Sequence, residues 1–98
     1  MSYSDDDIES VWRKGTTVPG YDPARFRKDA CAAWMVRSDY GNRDSAYGWE
    51  IDHIDTRGPH ILANWRPLQW ENNASRQAGP LTCPITSSGD TNVRRARS

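Results

Sequence analysis

The sequence has few aliphatic residues, no long apolar run and little cysteine. Hydrophobic residues make up only 36% of the 98 positions, and five Trp and four Tyr contribute much of that share. A chain of this length folds as one domain with a small core, which we expect to be largely aromatic. No stretch approaches the roughly 18 apolar residues of a membrane span. The acidic N-terminus is also unlike a signal peptide. These absences predict a small, soluble, cytoplasmic protein.

The two cysteines, Cys31 and Cys83, lie far apart and in unlike surroundings. They cannot form a zinc ribbon, which needs paired ligands at short spacing. One disulfide is possible, but two thiols in a cytosolic chain are more often reduced. We therefore expect free thiols and no structural zinc.

The formal net charge is zero, which taken alone argues against a nucleic-acid partner. The charges are unevenly spread, since acidic residues cluster near the N-terminus and arginines near the C-terminus. Between residues 10 and 80, ten basic residues outnumber eight acidic ones, a difference of +2. Eleven of the thirteen cationic side chains are Arg, the type best suited to bidentate phosphate contact. Composition thus permits a nucleic-acid partner without requiring one.

The termini and the middle of the chain differ in hydrophobic pattern. Residues 1–7 and 79–98 lack an apolar period that could offset the entropy of ordering them, so we expect a flexible acidic N-terminus and a disordered tail. Residues 8–78 form the predicted domain, of class α+β: a hairpin, a loop and a helix that crosses back over it. Its predicted elements are a helical turn over 8–12, a short helix from Pro23 capped by Asp22, a strand (or helix) over 31–37, a turn over 38–45, a strand over 47–54, a short strand over 65–68 and a helix over 69–77.

A carboxylate lies next to an imidazole at the end of the predicted strand over 47–54. Adjacent strand residues point to opposite faces, so Asp52 and His53 must have different duties. Phosphodiester hydrolysis needs an activated water, which a neutral imidazole can supply. It also needs charge neutralisation at phosphorus and at the leaving oxygen, which a divalent ion on hard oxygen ligands can supply. An isolated Asp-His pair is more often a surface Asp beside a partly buried His, so the surrounding pattern decides whether this pair is catalytic.

That pattern is WEIDHIDTRGPHILANWRPLQWENNASR, residues 49–76. Asn64 stands eleven residues after His53, and Asn73 nine residues after Asn64. The combination resembles the HNH nuclease family, whose signature runs Asp or His, then His, then Asn, then His or Asn on a following helix. The stretch from Asn64 to Leu68 is similar to the family's Asn-Leu-x-Pro-Leu. Upstream, RKDACAAWMVRSDYGNRDSAYGWEIDHI resembles a group of small bacterial and phage HNH proteins, in which Cys31 would be a buried structural cysteine.

The resemblance implies a ββα-metal finger with an additional N-terminal helix or strand. It also implies an endonuclease that hydrolyses nucleic acid, DNA rather than RNA, with low sequence specificity. Asp52 and Asn73 would be ligands of one Mg²⁺ or Mn²⁺, and His53 would be the general base. Asn64 would brace the loop and help to orient the base. The arginines placed at the nucleic acid are Arg57, Arg66 and Arg76, the last of these where the family usually carries Lys or Arg.

The chain also departs from the family pattern. Where many HNH proteins carry zinc-binding cysteines, this chain has Gln69 and Asn72, so packing must hold the tip of the finger. His60, in the loop before Asn64, could be a third ligand, a phosphate contact or an exposed loop histidine, and we favour the last. Asn73 is preferred to Asn72 as the ligand because it shares a helix face with Arg76.

A function of a different class stays open beside the nuclease. A ββα module that binds nucleic acid or a protein without cleaving fits the zero net charge and the sparse ligand set. Retention of all four motif positions speaks against it. A purely structural zinc domain fails on ligand count.

Overall fold

Short helices and antiparallel strand pairs alternate along residues 3–96, the part of the chain that the computed structural model describes. The strands pair in chain order, β1 with β2, β3 with β4 and β5 with β6, so the predicted α+β class is confirmed. No helix within these residues is both long and apolar enough to cross a membrane. The elements are α1 (Asp5–Trp12), β1 (Phe26–Lys28), β2 (Trp34–Val36), β3 (Trp49–His53), β4 (Trp65–Gln69), α2 (Trp70–Arg76), β5 (Ile85–Ser88) and β6 (Thr91–Arg94), with 3₁₀ turns at Arg37–Asp39 and Leu62–Asn64.

Helix α1 begins with a capping box. The Ser4 hydroxyl accepts from the Asp7 backbone N–H, and the Asp7 carboxylate accepts from the Ser4 N–H in return. The acidic first turn also lies at the positive end of the helix dipole. The helical turn predicted over 8–12 is therefore confirmed but begins earlier, and the flexibility expected for residues 1–7 is wrong from Ser4 onward. Met1 and Ser2 lie outside the described residues.

The core is built on indole rings, as the composition predicts. Val11 and Trp12 of α1 pack against Trp49 and Ile51 of β3, and the Trp12 and Trp49 ring centroids are 5.2 Å apart. Large rings bury much area per ordered side chain, which suits a chain with few aliphatic residues. Trp49 and Ile51 thus anchor β3, the strand that also carries Asp52 and His53.

Strands β3 and β4 and helix α2 follow one another and pack together. The register pairs Trp49 with Gln69 and His53 with Trp65. Gln69 then caps α2, because its side-chain oxygen accepts from the backbone N–H groups of Glu71 and Asn72. The helix predicted over 69–77 is confirmed. The turn over 38–45, however, joins β2 and β3, which do not pair with each other. Sequence patterns mark strands but leave their partners open, and each of these two strands pairs with a different neighbour.

The segment after Pro23 is a single turn rather than a helix. Asp22 caps it as expected, since its carboxylate accepts from the Ala24 N–H. Strand β1 begins two residues later at Phe26, which pairs with Val36 of β2. The predicted helix is wrong because pairing with β2 takes the backbone groups that a helix would use.

The two cysteines form a disulfide between Cys31 and Cys83. The expectation of free thiols is therefore wrong. Sequence separation concealed the pairing, because the fold brings positions 52 residues apart within bonding distance. Cys31 is buried, as the resemblance implies.

The predicted disordered tail contains a hairpin. Strands β5 and β6 pair over four positions, and Gly89 at the turn has a φ of +58° that glycine adopts freely. The Asn92 amide donates to the Trp34 and Ala46 carbonyls and accepts from the Trp34 N–H. Disorder is thus the wrong prediction for residues 85–94, because side-chain bonds and the disulfide replace the missing apolar stripe. Arg97 and Ser98 lie outside the described residues.

Two buried polar side chains hold α2 in place. The Asp29 carboxylate accepts four hydrogen bonds, from the N–H groups of Cys31, Ala33 and Gln69 and from the Asn72 amide, at 2.8–3.0 Å. Asn72, fully buried, also bonds both backbone groups of Ile85. This network joins the β1–β2 connection, the start of α2 and strand β5. In the sequence, nothing marks Asp29 apart from its place in the Arg-Lys-Asp-Ala-Cys stretch.

Candidate functional site

Three of the four motif residues line one open depression on the surface. Asp52 comes from the face of β3 that meets α2, Asn73 comes from α2, and His53 ends the strand. Asn64 is not part of the lining. The lining residues are Ile51, Asp52, His53, Thr56, Gly58, Asn73 and Gln77. Strand register and helix packing thus bring together side chains about 20 positions apart in sequence.

Asp52 is 6% exposed, and its two carboxylate oxygens have different surroundings. Oδ2 accepts from Arg66 Nε at 2.8 Å and from Arg76 Nη1 at 2.6 Å. Oδ1 accepts no hydrogen bond from the described residues, and it is not fully buried. One oxygen is therefore committed to the arginines, while the other is accessible to solvent in a residue that lines the depression.

Arg76 holds the end of β3 rather than projecting into solvent. Its side chain is 6% exposed, and besides Asp52 it donates to the carbonyls of His53 at 2.6 Å, Ile54 at 3.3 Å and Gly79 at 3.0 Å. All of its guanidinium nitrogens are thus engaged. Contrary to the predicted phosphate contact, the structure gives Arg76 the role of positioning Asp52 and the strand end that carries His53.

His53 pairs with His60, which is exposed in the loop, as expected. His53 Nε2 and His60 Nδ1 are 3.1 Å apart, with ring planes 25° from parallel. Trp65 packs edge-on against both rings, at centroid distances of 6.4 Å and 4.7 Å. The Tyr3 ring also contacts His60, with centroids 5.3 Å apart, and burial, followed by the charges of neighbouring acidic groups, raises the pKa of the Tyr3 phenol. His60 therefore belongs to an ordered aromatic cluster.

Asn64 braces the loop between β3 and β4. Its Oδ1 accepts from the Asp55 N–H at 3.0 Å, and its Nδ2 donates to the carbonyls of Asp55 at 2.9 Å and Pro59 at 3.0 Å. Gly58 lies so close that an added Cβ would sit 2.8 Å from Asn64 Nδ2. The loop-bracing role agrees with expectation, whereas His60 and not Asn64 contacts the His53 ring.

Asn73 of α2 is held by the Glu50 carboxylate, which lies on the same face of β3 as Asp52. Its Nδ2 donates to Glu50 Oε1 at 2.9 Å, and Glu50 also forms a bidentate pair with Arg43. Burial alone would raise the pKa of the Glu50 carboxyl, but its hydrogen bonds to Arg43 and Asn73 and the Arg43 charge bring it below its usual value. The Asn73 Oδ1 makes no hydrogen bond to the described residues. Asn72 faces the interior, so only Asn73 of the two can serve a surface site.

The donor set fits a hydrated Mg²⁺ or Mn²⁺ and does not fit a zinc cage. Asp52 Oδ1 and Asn73 Oδ1 are hard oxygen donors at one depression, and Mg²⁺ commonly takes one or two protein oxygens and keeps several waters. Within residues 3–96 no group of three or more His, Cys, Asp or Glu is placed to hold a metal. The pair would therefore hold a divalent ion weakly until further oxygens arrive with a substrate.

Two of the predicted nucleic-acid contacts remain available at the rim. Arg66 uses Nε on Asp52, but its side chain is 22% exposed and its terminal nitrogens make no bond to the described residues. Arg57 is exposed on the braced loop next to the depression.

No protein family, curated protein or solved structure matches the chain. Functional assignment therefore depends on the chemistry of this depression.

Proposed function

We propose that the chain is a metal-dependent endonuclease of the HNH type that hydrolyses phosphodiester bonds in nucleic acid, with DNA as the substrate. The supporting observation is the convergence of Asp52, His53 and Asn73 on one open depression. A carboxylate oxygen, an amide oxygen and an imidazole are the groups that such a hydrolysis needs. Arg57 and Arg66 at the rim would contact the phosphate backbone, and because such contacts do not read bases, we propose low sequence specificity.

Asp52 Oδ1 and Asn73 Oδ1 would hold the Mg²⁺ or Mn²⁺. The ion would supply charge neutralisation at the phosphate and at the leaving oxygen. Asp52 is kept in place by Arg76, and Asn73 is kept in place by Glu50, so both oxygens are oriented before a substrate binds.

His53 would act as the general base through its Nδ1 atom. When His53 Nε2–H donates to His60 Nδ1, the Nδ1 lone pair of His53 is left free, and it meets no other donor among the described residues. A neutral imidazole can take a proton from water near pH 7. In this tautomer, the bond to His60 would hold His53 in the form that the reaction needs.

A second function is favoured by one specific observation. Two guanidinium groups already contact Asp52 Oδ2, and they compete with a cation for the carboxylate charge. A module that binds nucleic acid without cleaving it would keep this arrangement unchanged.

Nicking of supercoiled plasmid separates the two functions. We expect wild type to nick with Mg²⁺ or Mn²⁺ and to stop on addition of EDTA, and we expect His53→Ala to be inactive. Asp52→Asn should lose activity and metal affinity, whereas the same change at the exposed turn residue Asp22 should leave both unaltered. DNA binding without nicking under any ion, by a protein shown to be folded, would support the binding module and refute the nuclease. Unchanged metal affinity in Asp52→Asn would refute the ligand assignment.

A further inference from the structure

The distance between His53 Nε2 and His60 Nδ1 is close to the distance between two ligands of one transition metal. Zinc–imidazole bonds are about 2.0–2.1 Å long, and two such bonds at a tetrahedral angle place their nitrogens about 3.3 Å apart. His53 Nε2 and His60 Nδ1 are 3.1 Å apart. An ion can therefore fit between these nitrogens with a change of a few tenths of an ångström in their separation, once the shared proton has moved through solvent to His53 Nδ1 and the two rings have turned so that both lone pairs face the ion.

The surrounding structure holds both rings ready. His53 lies in the β3–β4 register opposite Trp65, and that indole packs against both imidazoles. The loop that carries His60 is tied down by Asn64 through Asp55 and Pro59. Little side-chain entropy would then be lost on binding a metal.

Imidazole and thiolate are the side-chain ligands that zinc and similar metals prefer, and in this chain only the two histidines can supply such a ligand. The whole sequence contains two His and two Cys. Both cysteines are tied up in the disulfide. Imidazole favours Zn²⁺, Cu²⁺ and Ni²⁺, whereas the oxygen pair of Asp52 and Asn73 favours Mg²⁺ or Mn²⁺.

We propose that His53 Nε2 and His60 Nδ1 together bind one Zn²⁺, Cu²⁺ or Ni²⁺ ion, with water completing its coordination, at a site separate from the oxygen pair. Metal binding here is independent of the proposed nuclease activity. One consequence does rest on that activity: with the metal on Nε2, the neutral His53 ring carries its proton on Nδ1, the proposed base atom, so Zn²⁺ would inhibit nicking supported by Mg²⁺.

Zinc titration calorimetry on the full chain, under non-reducing conditions, tests the site directly. We expect one Zn²⁺ per chain and at least tenfold weaker binding in both His60→Ala and His53→Ala. Asp52→Asn should bind zinc like wild type because it belongs to the other site, and circular dichroism would show that each variant is folded. Unchanged zinc affinity in His60→Ala, or a loss of affinity in Asp52→Asn alone, would overturn the proposal.

Proton NMR supplies a readout that needs no activity. Two histidines give two sets of imidazole signals, and substoichiometric Ni²⁺ should broaden both together in wild type. Broadening of the His53 signals alone would contradict the shared site. In the nicking assay, Zn²⁺ should inhibit wild type at concentrations at least tenfold lower than His60→Ala, each relative to its own rate without zinc. A protein that binds zinc but never nicks would refute the nuclease and leave the metal site standing.

Discussion

Replacing Asp29 by Asn preserves the shape of a buried side chain and changes one acceptor atom into a donor. In the structure the two carboxylate oxygens accept two hydrogen bonds each: Oδ1 from Cys31 and Ala33, and Oδ2 from Gln69 and Asn72. Whichever way the new amide is turned, its NH₂ group faces two N–H donors. Two hydrogen bonds are therefore lost, and the donors are left unpaired in a site where Asp29 was 4% exposed.

The cost follows from the charge and burial of the lost bonds. Hydrogen bonds to a charged group contribute about 1.5–3 kcal/mol each, so the loss of two predicts about 3–6 kcal/mol. Domains of this kind have a total stability of about 5–15 kcal/mol, so the variant keeps only part of it. With a urea m-value of about 1–3 kcal/mol per M, the midpoint should fall by at least about 1 M.

Urea unfolding followed by tryptophan fluorescence measures this change. Asp22→Asn is the matched control: Asp22 lies on an exposed turn, its acceptor to the Ala24 N–H survives in Asn, and we expect a change within about 0.5 kcal/mol. A loss below about 1 kcal/mol in Asp29→Asn, or equal losses in both variants, would refute the argument that the four-bond carboxylate organises the fold.

Two further changes test the disulfide and the carboxylate beside Asn73. Reduction, or Cys83→Ser, should destabilise the protein by about 4 kcal/mol, the value that the chain-entropy relation gives for a separation of 52 residues. Either change should also speed amide exchange in residues 85–94, and a reductant added to Cys83→Ser should have no further effect. Unchanged exchange would contradict the anchoring role of Cys31. Since the folded pKa of Glu50 is lowered, its stabilisation is present above the unfolded value of about 4.3 and is lost as the pH falls through the folded value. Wild type should therefore lose more stability than Glu50→Gln between pH 6 and pH 3, and parallel losses in urea unfolding would argue against the Arg43 pair.

Much of the local structure could be predicted because it depends on neighbours in sequence. The Asp22 cap follows from capping chemistry, and the helical turn over 8–12 and the helix over 69–77 follow from local composition, although residues 5–7, expected to be flexible, belong to α1. Strand alternation correctly placed Asp52 and His53 on different faces of β3. Strand partners could not be predicted in the same way. The turn over 38–45 looked like a hairpin connection, but the strands on its two sides, β2 and β3, each pair with another strand.

The sequence by itself determined which chemical groups the chain offers: an aromatic core, a carboxylate, an imidazole and amides at fixed spacing, and two cysteines. Only the tertiary structure decided which of them meet. It joined Cys31 to Cys83, formed a hairpin over residues 85–94 where composition predicted disorder, committed Arg76 to the protein and set His60 against His53. These outcomes depend on distances between residues far apart in the chain, and such distances follow from packing and hydrogen bonding of the whole domain rather than from any local pattern.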